Sequence, residues 1–477
     1  MEHTRGLLSY MSVILLSEYP SSISTKSLAS RLTEKGECEI SVLHPKDNSI
    51  QLSKAQLVIS DGTIQFEVIA EFALKCTRDI YSPILLAGGV RQTRRFGLRG
   101  ILNKHEFNII QLCRFGSDGT VTVFSETRSA VLEKWKKNKS HIGSQIDDHL
   151  MNFFGHFLTN SMSAPADIFI TKVEKNSETA LGEAYYYLSR IGKRLKHVGG
   201  KLLLGRRKTI WRIAYGHGPL SILSACKAKV IEAPEGRYYA DPFAWDQNGK
   251  KYVFFENYCR RKKQATLSAA ELINGNLIEA KDILVRDHHL SYPFLFCHSN
   301  DIFMIPETSK AKSLELWKCD QFPYDWSLHK VVFKNISVAD SSVFQDKNDD
   351  WWLFANISNG TPTNHDTSLH VFKLDGPEMS SITPHQLNPV IVDASCARGA
   401  GTIFIDEQNR IIRPAQKNIN GTYGAGLVLR EITSLSLTKY EEHEVELIMG
   451  SDLGFADGLH HYSQFSDGSW VIDIKSY

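Results

Sequence analysis

The sequence predicts two folds in one chain: a Rossmann-like α/β domain over residues 1–205, then an all-β domain over 206–477 that closes into a five-bladed propeller. Three observations predict it. A strand–turn–strand pattern occurs five times between Ala240 and Lys475. The copies recur every 50 to 60 residues or so, roughly the length of a propeller blade. The chain before Ser60 alternates strand-like and helix-like stretches, whereas beyond Cys226 it is short strands broken by Gly, Asn and Asp, a change from βαβ to all-β patterning.

In the first part, Met11–Leu16 reads as a strand, Ser24–Glu34 as a helix, and Glu39–Leu43 and Ala55–Ser60 as strands. Leu7–Leu16 has the apolarity of a signal peptide. Ser9, Tyr10 and Ser12 interrupt it and no small-residue cleavage site follows, so it reads as a buried strand. No Gly-x-Gly-x-x-Gly and no Walker loop follows the first strand, so no nucleotide and no other cofactor is expected. Gly88-Gly89 reads as a turn.

Length and composition agree with two ordinary globular domains. A net charge of +2 gives no reason to expect nucleic acid as a partner. The eight cysteines are scattered without metal or redox spacing, as in a reducing compartment. No apolar run is long enough to span a bilayer. The expected location is therefore the cytoplasm. Between Arg190 and Arg212 lies a basic stretch with no acidic residue, interleaved with Leu195, Leu202, Leu203, Leu204, Ile210 and Trp211. It reads either as a solvated interdomain linker with a helix or as a peripheral contact with the inner face of an anionic membrane. Gly199, Gly200 and Gly205 break any long helix and favour the linker.

In the second part the copies open with Ala240-Asp241-Pro242-Phe243, Ser291-Tyr292-Pro293-Phe294, Ala339-Asp340-Ser341-Ser342, Ala397-Arg398-Gly399-Ala400-Gly401 and Gly458-Leu459-His460-His461. Answering strands end near Glu256, Glu307, Asn356, Gln416 and Asp473. Ala228–Ala233, ahead of the first copy, is the candidate strand that completes the last blade. A closed ring points the first strand of every blade at one channel, so these polar residues should converge. Asp241, Glu307 and Asp340 are the candidate catalytic carboxylates. Glu256, His289, Ser291, Arg398, Arg413, Gln416 and His460 are the candidate substrate-binding groups. Carboxylates with imidazoles and a guanidinium suit glycosyl chemistry, in which one carboxyl moves a proton and a second serves the anomeric carbon. Tyr239, Tyr292, Trp351 and Tyr423 offer faces for sugars. Each residue also has a structural use: Asp241 can cap a turn, Arg398 can pair with Asp393, and Arg413 can hold neighbouring blades together. His288-His289 and His460-His461 lack a third spaced ligand, so no metal is expected.

His288-His289-Leu290-Ser291-Tyr292-Pro293-Phe294, Met304-Ile305-Pro306-Glu307, Phe322-Pro323 with Trp326, Trp351-Trp352-Leu353-Phe354, Asn388-Pro389-Val390, Arg413-Pro414-Ala415-Gln416 and Tyr423-Gly424 together resemble one family. It is the domain named after the N-terminal region of plant glucosamine inositolphosphorylceramide transferase, similar in turn to the five-bladed propeller of glycoside hydrolase family 43. The resemblance implies a formyltransferase-like first domain, Asp241 as the base-like carboxylate, and Glu307 or Asp340 as the second acid. The first half lacks the His-Pro-Ser-Leu-Leu-Pro segment of active formyltransferases, so no formyl transfer is expected. The leading expectation is glycosyl transfer onto a carbohydrate or glycolipid in surface polysaccharide or glycolipid assembly. Its rivals are glycoside hydrolysis by the same carboxylates and non-catalytic glycan binding or scaffolding. A transferase for phosphorylated donors should place Arg398, Arg413 and His460 on phosphate.

Overall fold

The computed structural model describes residues 12–17, 20–36, 39–44, 55, 57–61, 64, 68–69, 73–74, 79–87, 90–91, 107–130, 135–159 and 210–476, except 359–363, 420–421 and 455. The Gly88-Gly89 turn and the basic stretch up to Lys208 lie outside the described residues. The chain divides into two compact units, Met1–His197 with Gln386–Asp393, and Val198–His385 with Ala394–Tyr477.

The first unit is built on a mixed sheet. Ser12–Leu16 lies between Glu39–Leu43 and Leu57–Ser60, parallel to both, and Ile80–Ala87 extends the parallel run. The helix Ile23–Gly36 joins the first two strands. Val13 and Leu15 pack on one side with Leu28, Leu32 and Leu150, while Ile14 and Leu16 pack on the other with Val58 and Ile80. Burial on both faces is what parallel strands require, and it explains their continuous apolar runs. Phe107–Phe115 and Val121–Ala130 then complete the sheet in antiparallel order. The unit is α/β, but this antiparallel half means that the expected Rossmann-like order is not established.

The second unit is a five-bladed propeller. Blade one is Arg237–Gln247, Lys250–Cys259, Gln264–Ile273 and Asn276–Leu284. Blade two is Ser291–His298, Asp301–Glu307, Ser313–Gln321 and Asp325–Lys334. Blade three is Ser337–Gln345, Trp351–Ser358, Ser368–Leu374 and Ile382–Pro384. Blade four is Phe404–Ile405, Ile411–Ile419, Thr422–Leu435 and Tyr440–Met449. Blade five takes Gly458–Gln464 and Trp470–Ser476 from the C-terminus and Ile210–Gly216 and Lys229–Ile231 from ahead of blade one. Lys229–Ile231 is the closing strand that the sequence pointed to. Ile210–Gly216, the third strand, pairs with Trp470–Ser476 along its whole length, and its start was read as part of the basic stretch.

Alternation within a strand feeds two cores at once. In blade one, Val253 and Phe255 pack with Ile213 and Ile231 of blade five, whereas Phe254 packs with Phe294 of blade two. Blade one is thus buried on both faces.

Candidate functional site

The central residues are presented by a repeated distortion. In blades one, two and three the pairing of the first two strands slips between Ala240 and Phe243, Ser291 and Phe294, and Ala339 and Ser342. Each slip is a β-bulge, and the residue inside it adopts left-handed backbone: Asp241 at φ 49°, Tyr292 at 47° and Asp340 at 44°. Bulges re-aim side chains beside functional sites, and non-glycine residues hold such a backbone only at a cost. Blade five slips likewise between Leu459 and His461, around His460. Blade four reaches the centre through a turn instead. Gly401 sits at φ 134°, and a Cβ there would stand 1.9 Å from Tyr462 O, so only glycine fits. Gly401 N donates to Tyr292 Oη at 2.9 Å.

Asp241, His460 and Asp473 form a buried chain. His460 Nδ1 is 2.7 Å from Asp473 Oδ1, and its Nε2 is 3.3 Å from Asp241 Oδ1. The remaining oxygens are filled by backbone: Tyr292 N donates to Asp241 Oδ2 at 3.2 Å, and Asp241 N donates to Asp473 Oδ2 at 3.1 Å. Burial alone would neutralise His460, but Asp473 and Asp241 outweigh it and raise its pKa to about 10. Burial likewise opposes ionisation of Asp241, yet the hydrogen bond and charge of His460, with His461 and Arg398, hold its carboxyl down at about 2. At neutral pH the pair is imidazolium and carboxylate. The three side chains offer ligand atoms within 4.8 Å of one another, as a metal would need. They do not suit one while His460 is protonated, because each ring nitrogen then carries a proton towards a carboxylate and offers no lone pair. Trp211 lies on His460, with ring centroids 4.0 Å apart, and Tyr423 meets it edge-on at 5.0 Å.

A second cluster surrounds Arg398. Its Nε contacts Asp340 Oδ2 at 2.5 Å, Nη1 contacts Asp366 Oδ1 at 2.7 Å and Nη2 lies 3.5 Å from Glu307 Oε2. The guanidinium sits over the Tyr423 ring at 4.9 Å. Gln416 Nε2 donates to Asp340 Oδ2 at 3.2 Å and to Gly399 O at 3.0 Å. Asp340 is pulled both ways. Burial is the stronger influence, Glu307 and Asp241 add to it, Arg398 opposes it, and the carboxyl rises to about 8. Burial also raises Glu256 well above its usual range, with Asp241 adding. His289 Nε2 is 3.5 Å from Glu256 Oε1, an oxygen with no hydrogen-bond partner in the protein.

The structure therefore brings together Asp241 with His460, Glu307 and Asp340 with Arg398 and Gln416, and Glu256 with His289. Ser291 is buried opposite Glu307 in the blade-two ladder. Arg413 is not part of this arrangement. It lies within blade four, where Nη2 contacts Glu442 Oε1 at 2.6 Å and donates to Cys396 O at 2.7 Å. Its side chain is 2% exposed, so it is committed to the fold and unavailable to a ligand. Arg398 pairs with Asp340, Asp366 and Glu307, not with the nearby Asp393. Of the aromatics expected to face sugars, Tyr239 and Tyr292 are packed in interblade cores, and Trp351 begins its strand at the opposite end of the blade. Only Tyr423 lies against the charged groups. Asp473, Asp366 and Trp211 were not among the candidate site residues. Asp473 was visible as the polar end of the last answering strand. Trp211 had no local signal, because its place depends on ring closure. A cavity of 1030 Å³ lined in part by Lys227, Lys229 and Lys251 opens at the other ends of the strands and contains none of these residues.

Residues 209–456 match the family model described as glucosamine inositolphosphorylceramide transferase 1, N-terminal. A relative from Oryza sativa subsp. japonica, glucosamine inositolphosphorylceramide transferase 1, is 32% identical over 245 residues, covering 49% of this chain and 32% of that protein. Its namesake from Arabidopsis thaliana is 26% identical over 276 residues, covering 55% of this chain and 35% of that protein. The matched region is thus about a third of the length of these curated relatives. Among solved structures, a family-43 enzyme from Xanthomonas citri complexed with xylose has a TM-score of 0.37 and 11% identity, covering 50% of this chain and 87% of that one. A thermostable family-43 glycoside hydrolase has a TM-score of 0.36 and 13% identity, covering 50% of this chain and 88% of that one.

Proposed function

We infer function from the premise that this chain belongs to the family of glucosamine inositolphosphorylceramide transferase N-terminal domains. We propose that its propeller handles the sugar in glycosyl transfer during glycolipid assembly. The observation that carries this reading is the opposite protonation of neighbouring carboxyls: Asp241 is held down at about 2 while Asp340 is pushed up to about 8 and Glu256 is raised. Carboxyls driven apart in this way divide base and acid work at one pH. Asp241 would take the proton of an acceptor hydroxyl as its oxygen bonds to the anomeric carbon. Glu256 or Asp340 would give its proton to the leaving oxygen as the old bond breaks. His460 and Tyr292 N hold Asp241 in place for that role. Arg398, His460 and Arg413 are each matched by carboxylates, so they are poorly suited to the phosphate of a donor. The centre suits sugar hydroxyls and the positive charge that develops at the anomeric carbon.

The same acid–base pair would serve hydrolysis, with water as the acceptor. Product analysis separates the two readings: free sugar marks hydrolysis, and sugar found on an acceptor marks transfer. The direct test is stabilisation by ligand, since a sugar that binds only the folded chain raises its melting temperature. Across a panel of amino and neutral sugars, the wild type should be stabilised by at least one. Asp241→Asn and Glu256→Gln should lose that response while each still unfolds cooperatively without sugar, Asp241→Asn at a lower temperature than the wild type because its pairing with His460 is lost. Variants that respond as the wild type does would remove the basis for this site.

We place the protein in the cytoplasm at the inner face of a membrane, where a glycolipid acceptor would be met. The N-terminal unit we read as descended from a formyltransferase-like domain that no longer transfers formyl groups. Turnover of formyl-tetrahydrofolate with an amino sugar would overturn that part.

A further inference from the structure

The cations at the centre of the propeller are matched by carboxylates, whereas a run of cations at its rim is not. Strand direction shows where that rim lies. In each of the first three blades the first strand runs away from the end that holds Asp241, Tyr292 or Asp340, and the second strand returns to it. The turn that joins the second strand to the third therefore stands at the site end. In blade one that turn is Arg260-Arg261-Lys262-Lys263, with all four residues exposed. No ion pair is formed by any of them among the described residues. The matching turn of blade two carries Lys310 and Lys312, also exposed.

This rim is continuous with the site. Gln264 Nε2, at the foot of the blade-one turn, donates to Arg286 O at 2.7 Å and to His288 O at 3.0 Å. Ala265 N donates to His289 Nδ1 at 3.3 Å, and His289 is the neighbour of Glu256. Burial holds the pKa of His289 down at about 4, with the charge of Lys310 the next influence. Two aliphatic side chains stand at the same end on connections between blades: Val285 is 61% exposed and Ile336 is 36% exposed.

We propose that this end of blades one and two docks on an anionic lipid surface and sets the propeller mouth against the lipid headgroups. Clustered lysines and arginines are drawn to anionic leaflets within a screening length of the surface, and exposed aliphatic groups among them can enter the headgroup layer. The proposal deepens the glycolipid reading, and rests on it for choosing a lipid surface over another polyanion. It does not depend on the basic stretch before Ile210.

The test is co-sedimentation of the full chain with vesicles of phosphatidylcholine alone or mixed with phosphatidylglycerol. The wild type should bind only the anionic vesicles, and less as salt rises from about 0.01 M to about 0.15 M, where the screening length shrinks from about 30 Å to about 8 Å. Replacing Arg260, Arg261, Lys262 and Lys263 together by Glu should weaken binding at least about tenfold. Lys310→Glu with Lys312→Glu should weaken it by a smaller factor, which guards against one misfolded variant. Both variants should keep the sugar-dependent rise in melting temperature. Three results would overturn the proposal: equal binding to neutral vesicles, wild-type binding by the fourfold variant, or wild-type protein that binds a soluble anionic polysaccharide but no vesicle. Sugar response lost with vesicle binding intact would instead count against the catalytic reading and leave the docking surface standing.

Discussion

Two buried arginines of this propeller are used in opposite ways. Arg413 and Arg430 share a single carboxylate, Glu442, which also accepts from Tyr440 Oη at 2.5 Å. Arg398 alone faces three carboxylates, Asp340, Asp366 and Glu307. The first cluster lies within one blade, joins its second, third and fourth strands, and keeps Arg413 and Glu442 sealed from water. The second draws on blades two and three and the turn into blade four, and its guanidinium is 13% exposed. A buried carboxylate satisfied on every side is a structural staple. An excess of carboxyls around one partly exposed cation leaves groups whose charge must adjust, and those are the groups that can move protons.

The largest expected effect tests this contrast. Glu442→Gln leaves the buried Arg413 and the partly buried Arg430 without their counter-charge and should destabilise the propeller by about 3–5 kcal/mol. Arg398→Met should cost only about 1–2 kcal/mol, the scale of its lost hydrogen bonds, because Asp340 can remain protonated once its partner is gone. Denaturant unfolding of the two variants measures the difference. Equal losses would mean that both clusters are staples, and the case for chemistry at Arg398 would fall with that result.

The same contrast explains how much could be read from the sequence. The five openings and answering strands were legible because alternation and turn residues are local, and five copies reinforce one another. Asp241, Asp340 and His460 could be picked out because each lies at the equivalent bulge of its blade. Glu307 and Gln416 followed because they end the strands that answer those openings. What pairs with what was not legible. Nothing near Arg413 in sequence announces Glu442, which is two strands away, so Arg413 looked as available as Arg398. Asp366 lies in the blade-three connection between the second and third strands, outside the repeated pattern. Trp211 reaches His460 only because Ile210–Gly216 returns to complete blade five. That strand was obscured by the basic stretch before it, whose charge suggested a membrane contact and whose glycines suggested a linker. In the first unit, the parallel strands were readable from their apolar runs. The antiparallel strands Phe107–Phe115 and Val121–Ala130 were not, because alternation alone does not reveal which sheet a strand joins.

The other expected effect is a change of slope with pH, and it is the most specific, because it compares the two aspartates inside the bulges. Burial lifts Asp340 from 3.8 to about 8, against Arg398. The folded chain therefore holds that proton more tightly than the unfolded chain, and Asp340 costs stability increasingly as pH rises from 3.8 to about 8. An amide does not titrate, so Asp340→Asn should gain on the wild type between pH 5 and pH 9. Asp241 behaves oppositely. His460 and its neighbours overcome burial and depress its carboxyl from 3.8 to about 2, so its contribution is complete above 3.8 and lost as pH falls through about 2. The deficit of Asp241→Asn should then shrink in acid, and between pH 5 and pH 9 it should change only through His460, Asp340 and Glu256, whose protons the Asp241 charge helps to hold. The raised His460, which contributes fully below 6.5 and loses that contribution as pH rises through about 10, is common to the wild type and Asp340→Asn and cancels in their comparison. Melting temperatures at pH 5 and pH 9 for the three proteins supply the measurement. Parallel curves for wild type and Asp340→Asn would show that Asp340 is ionised throughout, making it a plain partner of Arg398 and leaving Glu256 as the acid opposite Asp241.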